Sequence, residues 1–404
     1  MVKAKGTVII GGSIAGHNVA SRLRKEGYQD KITMIEAKNT LPYDRSELST
    51  GWMQKLDKVE PPLFQKKEFF DENEIEVKLN TKVTDFDPKK KMVVTKEGEK
   101  IPYDSLVIAT GSSLQKLNAP GEEARGVYYL RDHEDALEIK EWSKEVKNLA
   151  IVGGGFIGLE LAATFSKLGL NVTVIEYSDY PLGRIIGEEA SKYFMQMHEE
   201  HGVHFITGEG GKAFEKDTAG KLTKVITTED REVPAEMAII GVGVVPNVSV
   251  DHPDLKVDEG IVVNEYGETS IPDIYAVGDV AVWPYQGEQI HVAHWEHAYN
   301  QGQNVARNIV RAKSHPYRVR PYFWTDQYDE TFERLGYMHS WDRIIRRGSF
   351  ENGKFTLAYV DEENYPLAIL FANHNDKRKE VRQLMDSGKA IDEESFKNME
   401  KPLN

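Results

Sequence analysis

A chain of 404 residues, 40% hydrophobic and 29% charged, is too long for one ordinary domain and has the balance of a water-soluble fold. Its net charge of −14 argues against general nucleic-acid binding, and its lack of any cysteine excludes disulfides and every thiol, sulfenic-acid or Cys-x-x-Cys mechanism. No signal-peptide pattern is present and the longest apolar run, around Ala238–Val245, is far short of the roughly 20 residues of a membrane helix, so the expectation is a cytoplasmic protein with no membrane or nucleic-acid partner.

Residues 1–40 read as strand, glycine turn, helix and strand. TVIIGGSIAG spans Thr7–Gly16, and the second strand, KITMIE, closes on Glu36. A loop, LPYDRSELSTGW (Leu41–Trp52), leads to a helix near Glu68–Glu74 and short strands at Ile75–Leu79, Lys82–Asp87 and Lys91–Lys96. The apolar run DSLVIATGS (Asp104–Ser112) ends in another glycine turn. After the linker LNAPGEEARGV and a helix near His133–Lys147, the opening pattern returns 142 residues on, as LAIVGGGFIG (Leu149–Gly158) and NVTVIE, closing on Glu176. This unit runs to about Asn247 and ends in AIIGVGVVPN. IPDIYAVGDVA (Ile271–Ala281) and a helix over His294–Val310 follow. The tail shows strand-like runs at Phe332–His339, Arg343–Phe350, Lys354–Val360 and Pro366–Ala372, a hairpin signal at Asn352-Gly353, and a short helix near Lys377–Met385.

The repeated unit is the only internal repeat, and it carries chemistry. A buried strand, a turn tight enough to need glycine and a helix N-terminus form a cradle for pyrophosphate, and the closing acid some 20 residues on is placed for ribose hydroxyls. Two such units in one chain imply two dinucleotides. In the first, the G-x-G-x-x-G positions fall on Gly11, Ser13 and Gly16; Ser13 departs from the pattern, but it is small and its hydroxyl suits a phosphate. In the second, Gly153, Gly155 and Gly158 are all present. Glu176 welcomes the two ribose hydroxyls of NAD and repels the 2′-phosphate of NADP, and no Lys or Arg follows before Arg184, so NADH is expected to be preferred. Asp279, after Gly278, suits a turn cap or, beside two dinucleotide folds, a flavin ribityl hydroxyl.

Two histidine series at spacing three, His198/His201/His204 and His291/His294/His297, lack the convergent acids or thiolates of a metal site, and no metal is expected. Residues 305–350 hold nine Lys/Arg against five Asp/Glu, a solvated face or a docking patch for an acidic protein.

LPYDRSELS, IATGS, IVGGGFIGLELAA, GVGVVPN, YAVGDVA, WEHAYNQG and FWTDQ occur in that order over nearly the whole chain. Together they resemble the FAD- and NADH-dependent ferredoxin and rubredoxin reductases of oxygenase systems, a branch of the pyridine nucleotide-disulfide oxidoreductases without redox cysteines. The resemblance implies an α/β fold with two Rossmann-like domains, a split FAD domain (1–115 and 247–318) interrupted by an NAD domain (116–246), and a C-terminal α+β domain (319–404). It implies FAD contacts from Gly12, Arg45, Val83, Thr110, Gly111, Arg131 and Asp279, with Trp295 by the isoalloxazine. For NAD it adds Phe156, Ile157, Gly241 and Gly243. Glu160, in GGGFIGLE, belongs near the flavin–nicotinamide contact.

One departure stands out. Where the family reads PPLSK this chain has SELST, so Thr50 replaces the lysine that pairs with the acid at Glu160. A buried Glu160 should then have a raised pKa or find another cation, for which Lys55 is the nearest in sequence, and flavin reduction should be slower or differently tuned. The implied activity is hydride uptake from NADH by FAD, then single-electron delivery to a small iron–sulfur protein, by a monomer or homodimer. Rival readings are an NADH-driven reductase of oxygen, a quinone or another small molecule, and an NADH-sensing interaction protein like apoptosis-inducing factor.

Overall fold

A computed structural model describes residues 6–248, 250 and 252–403. The chain forms two compact units: Met1–Asp44 with Pro61–Ser113 and Val244–Pro321, and Arg45–Glu60 with Leu114–Gly243 and Tyr322–Asn404.

The first unit is built on a five-stranded parallel sheet in the order Ile75–Lys78, Lys31–Ile35, Gly6–Ile10, Ser105–Ile108, Ile274–Ala276. Its central strand, GTVII, is buried along its whole length, as a strand covered on both faces must be. Helices Ile14–Lys25 and Trp295–Val310 pack together, with Val19, Ala20 and Leu23 in one core with Ala298, Val305 and Ala306. A Cβ on Gly302 would lie 2.5 Å from the Ala15 carbonyl oxygen, so only glycine permits this approach. A three-stranded antiparallel meander (Val83–Asp87, Met92–Thr95, Lys100–Pro102) separates the third and fourth sheet strands in sequence.

The second unit repeats the plan. Its parallel sheet runs His204–Thr207, Asn171–Glu176, Asn148–Val152, Met237–Ile240, Val127–Tyr129, and a meander of Gly211–Lys216, Leu222–Thr227 and Glu232–Pro234 occupies the corresponding place. The repeat has one difference. The fifth strand comes before the second sheet in sequence, whereas in the first sheet it comes long after.

The tail is a five-stranded antiparallel sheet, ordered Tyr322–Gln327, Glu330–Gly336, Pro366–Ala372, Lys354–Val360, Arg343–Ser349. Strand alternation divides its faces. Phe355, Leu357 and Tyr359 pack with Leu159, Ile186 and Phe194, while Ala358 and Val360 pack with Val381, Leu384 and Phe396.

Several boundaries differ from the sequence expectation. The strand Tyr322–Gln327 was not foreseen, because YFWTDQ opens on three aromatics and lacks clean alternation. The helix expected to reach Lys147 ends at Ser143. The Leu41–Trp52 loop contains a 3₁₀ turn, Arg45–Leu48, and continues into a short helix, Gly51–Gln54.

That segment is held by one side chain. Lys140 is fully buried, and its ammonium donates to the carbonyls of Trp52 (3.0 Å), Lys55 (3.0 Å) and Lys58 (2.8 Å) while lying 3.2 Å from the Trp52 ring centroid. Burial pushes it down to about 8, which still leaves it charged at neutral pH. Three carbonyls and an aromatic face replace the water it has lost.

Candidate functional site

The two glycine turns superimpose in their chemistry. Gly11 and Gly153 have φ of +106° and +113°, and a Cβ on either would lie 2.2 or 2.3 Å from a carbonyl oxygen, of Ala109 or Gly241. Side chains are excluded there on both counts. Gly16 and Gly158 let the helix close on the turn, since their Cβ atoms would lie 2.0 Å from the Gly11 oxygen and 2.2 Å from the Gly153 oxygen. Gly155 is different: nothing lies within 4 Å of its Cβ position, so the space before helix Phe156–Lys167 is open. Neither cradle helix has an acid in its first turn, and the positive end of each is left for an anion. Ser13 caps the first of them with extended backbone. The residues present fit two pyrophosphates.

Both closing acids are held alike. Glu36 accepts from the backbone N–H of Gly12 (2.8 Å) and Lys38 (2.9 Å), and Glu176 from Gly154 (2.7 Å) and Ser178 (2.7 Å). Each carboxylate is thereby fixed at the second glycine of its turn, with lone pairs left for ribose hydroxyls.

Among the other expected residues of the first unit, Thr110 Oγ1 donates to the Asn247 carbonyl at 2.7 Å, and the Gly111 carbonyl accepts from Asn247 N–H at 2.8 Å. Asp279 accepts from Ser112 Oγ (2.7 Å) and its carbonyl lies 2.7 Å from His291 Nε2. Trp295 begins its helix, donates from Nε1 to Asp44 (3.1 Å) and stacks on Tyr299. Val83 is buried at the start of the meander. In the second unit, Arg45 pairs with Asp132 at 3.0 Å, and Arg131 N–H donates to Asp135. Gly241 and Gly243 follow strand Met237–Ile240, Phe156 lies against Phe323, and Ile157 is 47% exposed beside the open cradle. A cleft of about 960 Å³ in the first unit lies elsewhere, on the flank of helix Ile14–Lys25, lined by Ser21, Arg24, Gln303 and Arg307.

Glu160, in helix Phe156–Lys167, is buried and, among the described residues, has no cation beside it. Its Oε2 accepts from Ser49 Oγ at 2.6 Å and its Oε1 from Thr325 Oγ1 at 2.8 Å. Thr50, the position of the expected exchange, instead donates to the Ser46 carbonyl, and Lys55 is exposed. The partners of Glu160 are thus Ser49, next to Thr50 in that loop, and Thr325 of the tail sheet. Nothing in the sequence marked Ser49 or Thr325, which lie 111 and 165 residues from Glu160. Burial pushes the Glu160 carboxyl up to about 7; the two hydroxyls oppose that rise and Asp326 adds to it.

This shift carries a stability prediction. Between the ordinary 4.5 and about 7 the folded protein binds a proton that the unfolded chain does not, so stability falls as pH rises through that window. The uncharged, isosteric Glu160→Gln avoids the loss. Relative to wild type it is expected to gain roughly 3 kcal/mol between pH 5 and pH 8, measured by denaturant unfolding at both. An equal difference at the two pH values would contradict the shift.

The histidine series do not converge. His198 bonds Gln327 and Tyr328, and His297 lies 3.1 Å from the Tyr317 hydroxyl. Among the described residues no group of three His, Cys, Asp or Glu is placed to hold a metal. Several residues of the basic stretch are engaged within their own units. Arg311 pairs with Glu26, Lys313 with Glu268, Arg343 with Glu393 and Arg346 with Glu189, while Arg347 is buried against the carbonyls of Phe396, Asn398, Met399 and Lys401.

Two Rossmann-type cradles and a buried carboxylate beside the second define an oxidoreductase that uses two dinucleotides. The chain belongs to the pyridine nucleotide-disulphide oxidoreductase family, which it matches over residues 5–302, and residues 322–404 match the reductase C-terminal family. Reductases of this family bind FAD and use NAD(H). The disulphide chemistry in the family's name is not open to a chain without cysteine. The chain is 33% identical to rhodocoxin reductase of Rhodococcus erythropolis, over 87% of this chain and 82% of that one. It is 34% identical to the benzene 1,2-dioxygenase system ferredoxin–NAD(+) reductase subunit of Pseudomonas putida, over 88% and 86%. In structure it resembles a chain of the covalent putidaredoxin reductase–putidaredoxin complex, with a TM-score of 0.93 and 29% identity over 99% and 97% of the two chains. No described helix is long and apolar enough to cross a membrane.

Proposed function

We propose that this chain is an NADH-dependent flavoprotein reductase that delivers electrons singly to a small iron–sulfur protein, a ferredoxin or rubredoxin, in the service of an oxygenase. The observation that carries the reading is the pair of complete dinucleotide cradles in a chain with no cysteine to pass electrons to a thiol substrate. Relatives named as ferredoxin and rubredoxin reductases support the acceptor class. Residues 1–115 and 247–318 are assigned to FAD, 116–246 to NAD, and 319–404 to a C-terminal reductase domain in a cytoplasmic enzyme.

When bound, FAD supplies acceptance of a hydride from NADH and release of its electrons one at a time. The protein's part is binding, orientation and electrostatics. Gly11, Gly12, Ser13 and Gly16 leave room for one pyrophosphate at a helix N-terminus, with Glu36 on the ribose, Asp279 on the ribityl side, and Thr110 and Gly111 bracing the turn beside them. Gly153, Gly155 and Gly158 do the same for NADH, with Glu176 on the ribose and Ile157, Gly241 and Gly243 beside the opening. Glu160, dry and fixed by two hydroxyls, sets the charge near the nicotinamide-binding face.

Glu176 makes the reading quantitative. Like-charge juxtaposition costs several kcal/mol, so kcat/KM for NADPH is expected to be lower than for NADH by about a hundredfold or more, and Glu176→Ala to close most of that gap. Equal use of both by wild type would overturn the assignment. Acceptor class is tested by NADH-driven reduction of purified ferredoxins and rubredoxins beside oxygen and quinones. Faster turnover with oxygen or a quinone would favour the small-molecule reading.

A further inference from the structure

Glu160 is the end of a longer structure. Thr325 Oγ1, which donates to it, lies 3.1 Å from Gln327 Nε2; Gln327 Oε1 lies 2.8 Å from His198 Nε2; His198 Nδ1 lies 3.0 Å from the Tyr328 hydroxyl; and that hydroxyl lies 3.1 Å from Ser166 Oγ. Thr325, Gln327 and His198 are all at most 1% exposed. With the Gln327 amide oriented this way, donor chemistry fixes the directions from Tyr328 to Glu160. An amide oxygen only accepts, so His198 must carry its hydrogen on Nε2. Burial keeps that ring neutral, so Nδ1 accepts from Tyr328, whose oxygen lies 3.1 Å from Ser166 Oγ. At the other end, Thr325 accepts from the Gln327 amide and turns its own hydrogen to Glu160.

We propose that His198, Gln327 and Thr325 are positioning residues for Glu160, forming a one-way relay of hydrogen-bond donors that supplies at its carboxylate the positive potential a neighbouring lysine would supply. Aligned donors polarise one another, and in a dry interior they act on a charge without adding a second one. The proton enters from the opposite side. Ser49 Oγ, 2.6 Å from Oε2, also lies 3.5 Å from the Ser46 carbonyl, so its hydrogen can turn there when Glu160 is protonated and leave the relay unchanged.

The other charges nearby are accounted for. Asp326, on the relay strand, opposes ionisation of Glu160. On the segment bearing Ser49, Arg45 is paired with Asp132 and Glu47 is exposed. Lys167 at the far end of the Glu160 helix pairs with Asp329, and Glu176 on the adjacent strand is held by backbone N–H groups. His198 faces His201, whose Nδ1 lies 2.8 Å from the Met197 carbonyl.

The inference is independent of the electron acceptor and is read without turnover. The Glu160 carboxyl band, assigned by its loss in Glu160→Gln, is titrated by infrared difference spectroscopy on the flavin-loaded protein. Thr325→Val, which removes a bond to a charged group, is expected to raise the midpoint by about one unit or more, and Gln327→Leu and His198→Leu, which touch nothing on Glu160, by about half a unit each. His198→Gln, which can restore a donor at the Nε2 position, should return it to the wild-type value. Tyr328→Phe, which keeps the ring stacked on His201, gives a milder break should the leucine variants fail to fold, and a small rise is expected. An unchanged midpoint in Gln327→Leu or, failing that variant, in Tyr328→Phe would overturn the relay, as would a rise in His198→Gln equal to that in His198→Leu.

Discussion

Gly158→Ala is expected to yield a yellow protein that NADH no longer bleaches, and Gly16→Ala a colourless one. The added methyl carbon would lie 2.2 Å from the Gly153 carbonyl oxygen in the first variant and 2.0 Å from the Gly11 oxygen in the second. Neither obstacle is a side chain that can swing away. The helix must withdraw from its turn, at a cost of about 1–3 kcal/mol, and the withdrawal moves the N–H groups that face the phosphates. Affinity for the dinucleotide of that cradle should fall at least about tenfold while the other cradle keeps its ligand. Absorbance spectra and NADH titration of the two variants check this. If Gly158→Ala loses its flavin and Gly16→Ala keeps it, the cradles are assigned the wrong way round.

These cradles were legible in the sequence because every part of them is local. Strand, glycines, helix and closing acid fall within 30 residues, and the spacing of Gly11 to Glu36 or Gly153 to Glu176 is set by the fold itself. The environment of Glu160 was legible only in part. Loss of the usual lysine at Thr50 predicted a raised carboxyl, and burial does push it up to about 7. The hydroxyls that receive it were hidden, because Ser49 and Thr325 reach Glu160 only through tertiary structure and neither residue type is unusual in a loop or strand. Lys140 was hidden for another reason. It sits in a helix that also carries Glu134, Asp135, Glu138 and Glu141, and a lysine among them reads as solvent-facing.

Lys140→Met is expected to be the most destabilising single change outside the cradles. Methionine matches the length of the stem but leaves the carbonyls of Trp52, Lys55 and Lys58 without their donor. Breaking a buried, charge-assisted cluster of this kind costs about 3–5 kcal/mol, which for a unit of this size lowers Tm by roughly 6–12 °C or more. The change should also release the segment that carries Ser49, so proteolysis within 45–60 should accelerate. Lys140→Arg is no rescue, because a planar fork cannot reproduce three converging bonds from one nitrogen. A Tm within about 2 °C of wild type would show that water or a neighbouring donor takes over.

The displaced fifth strand has a consequence for synthesis on the ribosome. The second parallel sheet is complete once Met237–Ile240 has emerged, with all five strands drawn from residues 127–240. The first sheet begins at Gly6 but must wait for Ile274–Ala276 to seat beside Ser105–Ile108. At translation rates of about 5–20 residues per second, its fourth strand spends roughly ten to thirty seconds with an open edge. The sheet that is begun first is thus the second to be completed, and the inserted fold matures while the first is still unfinished.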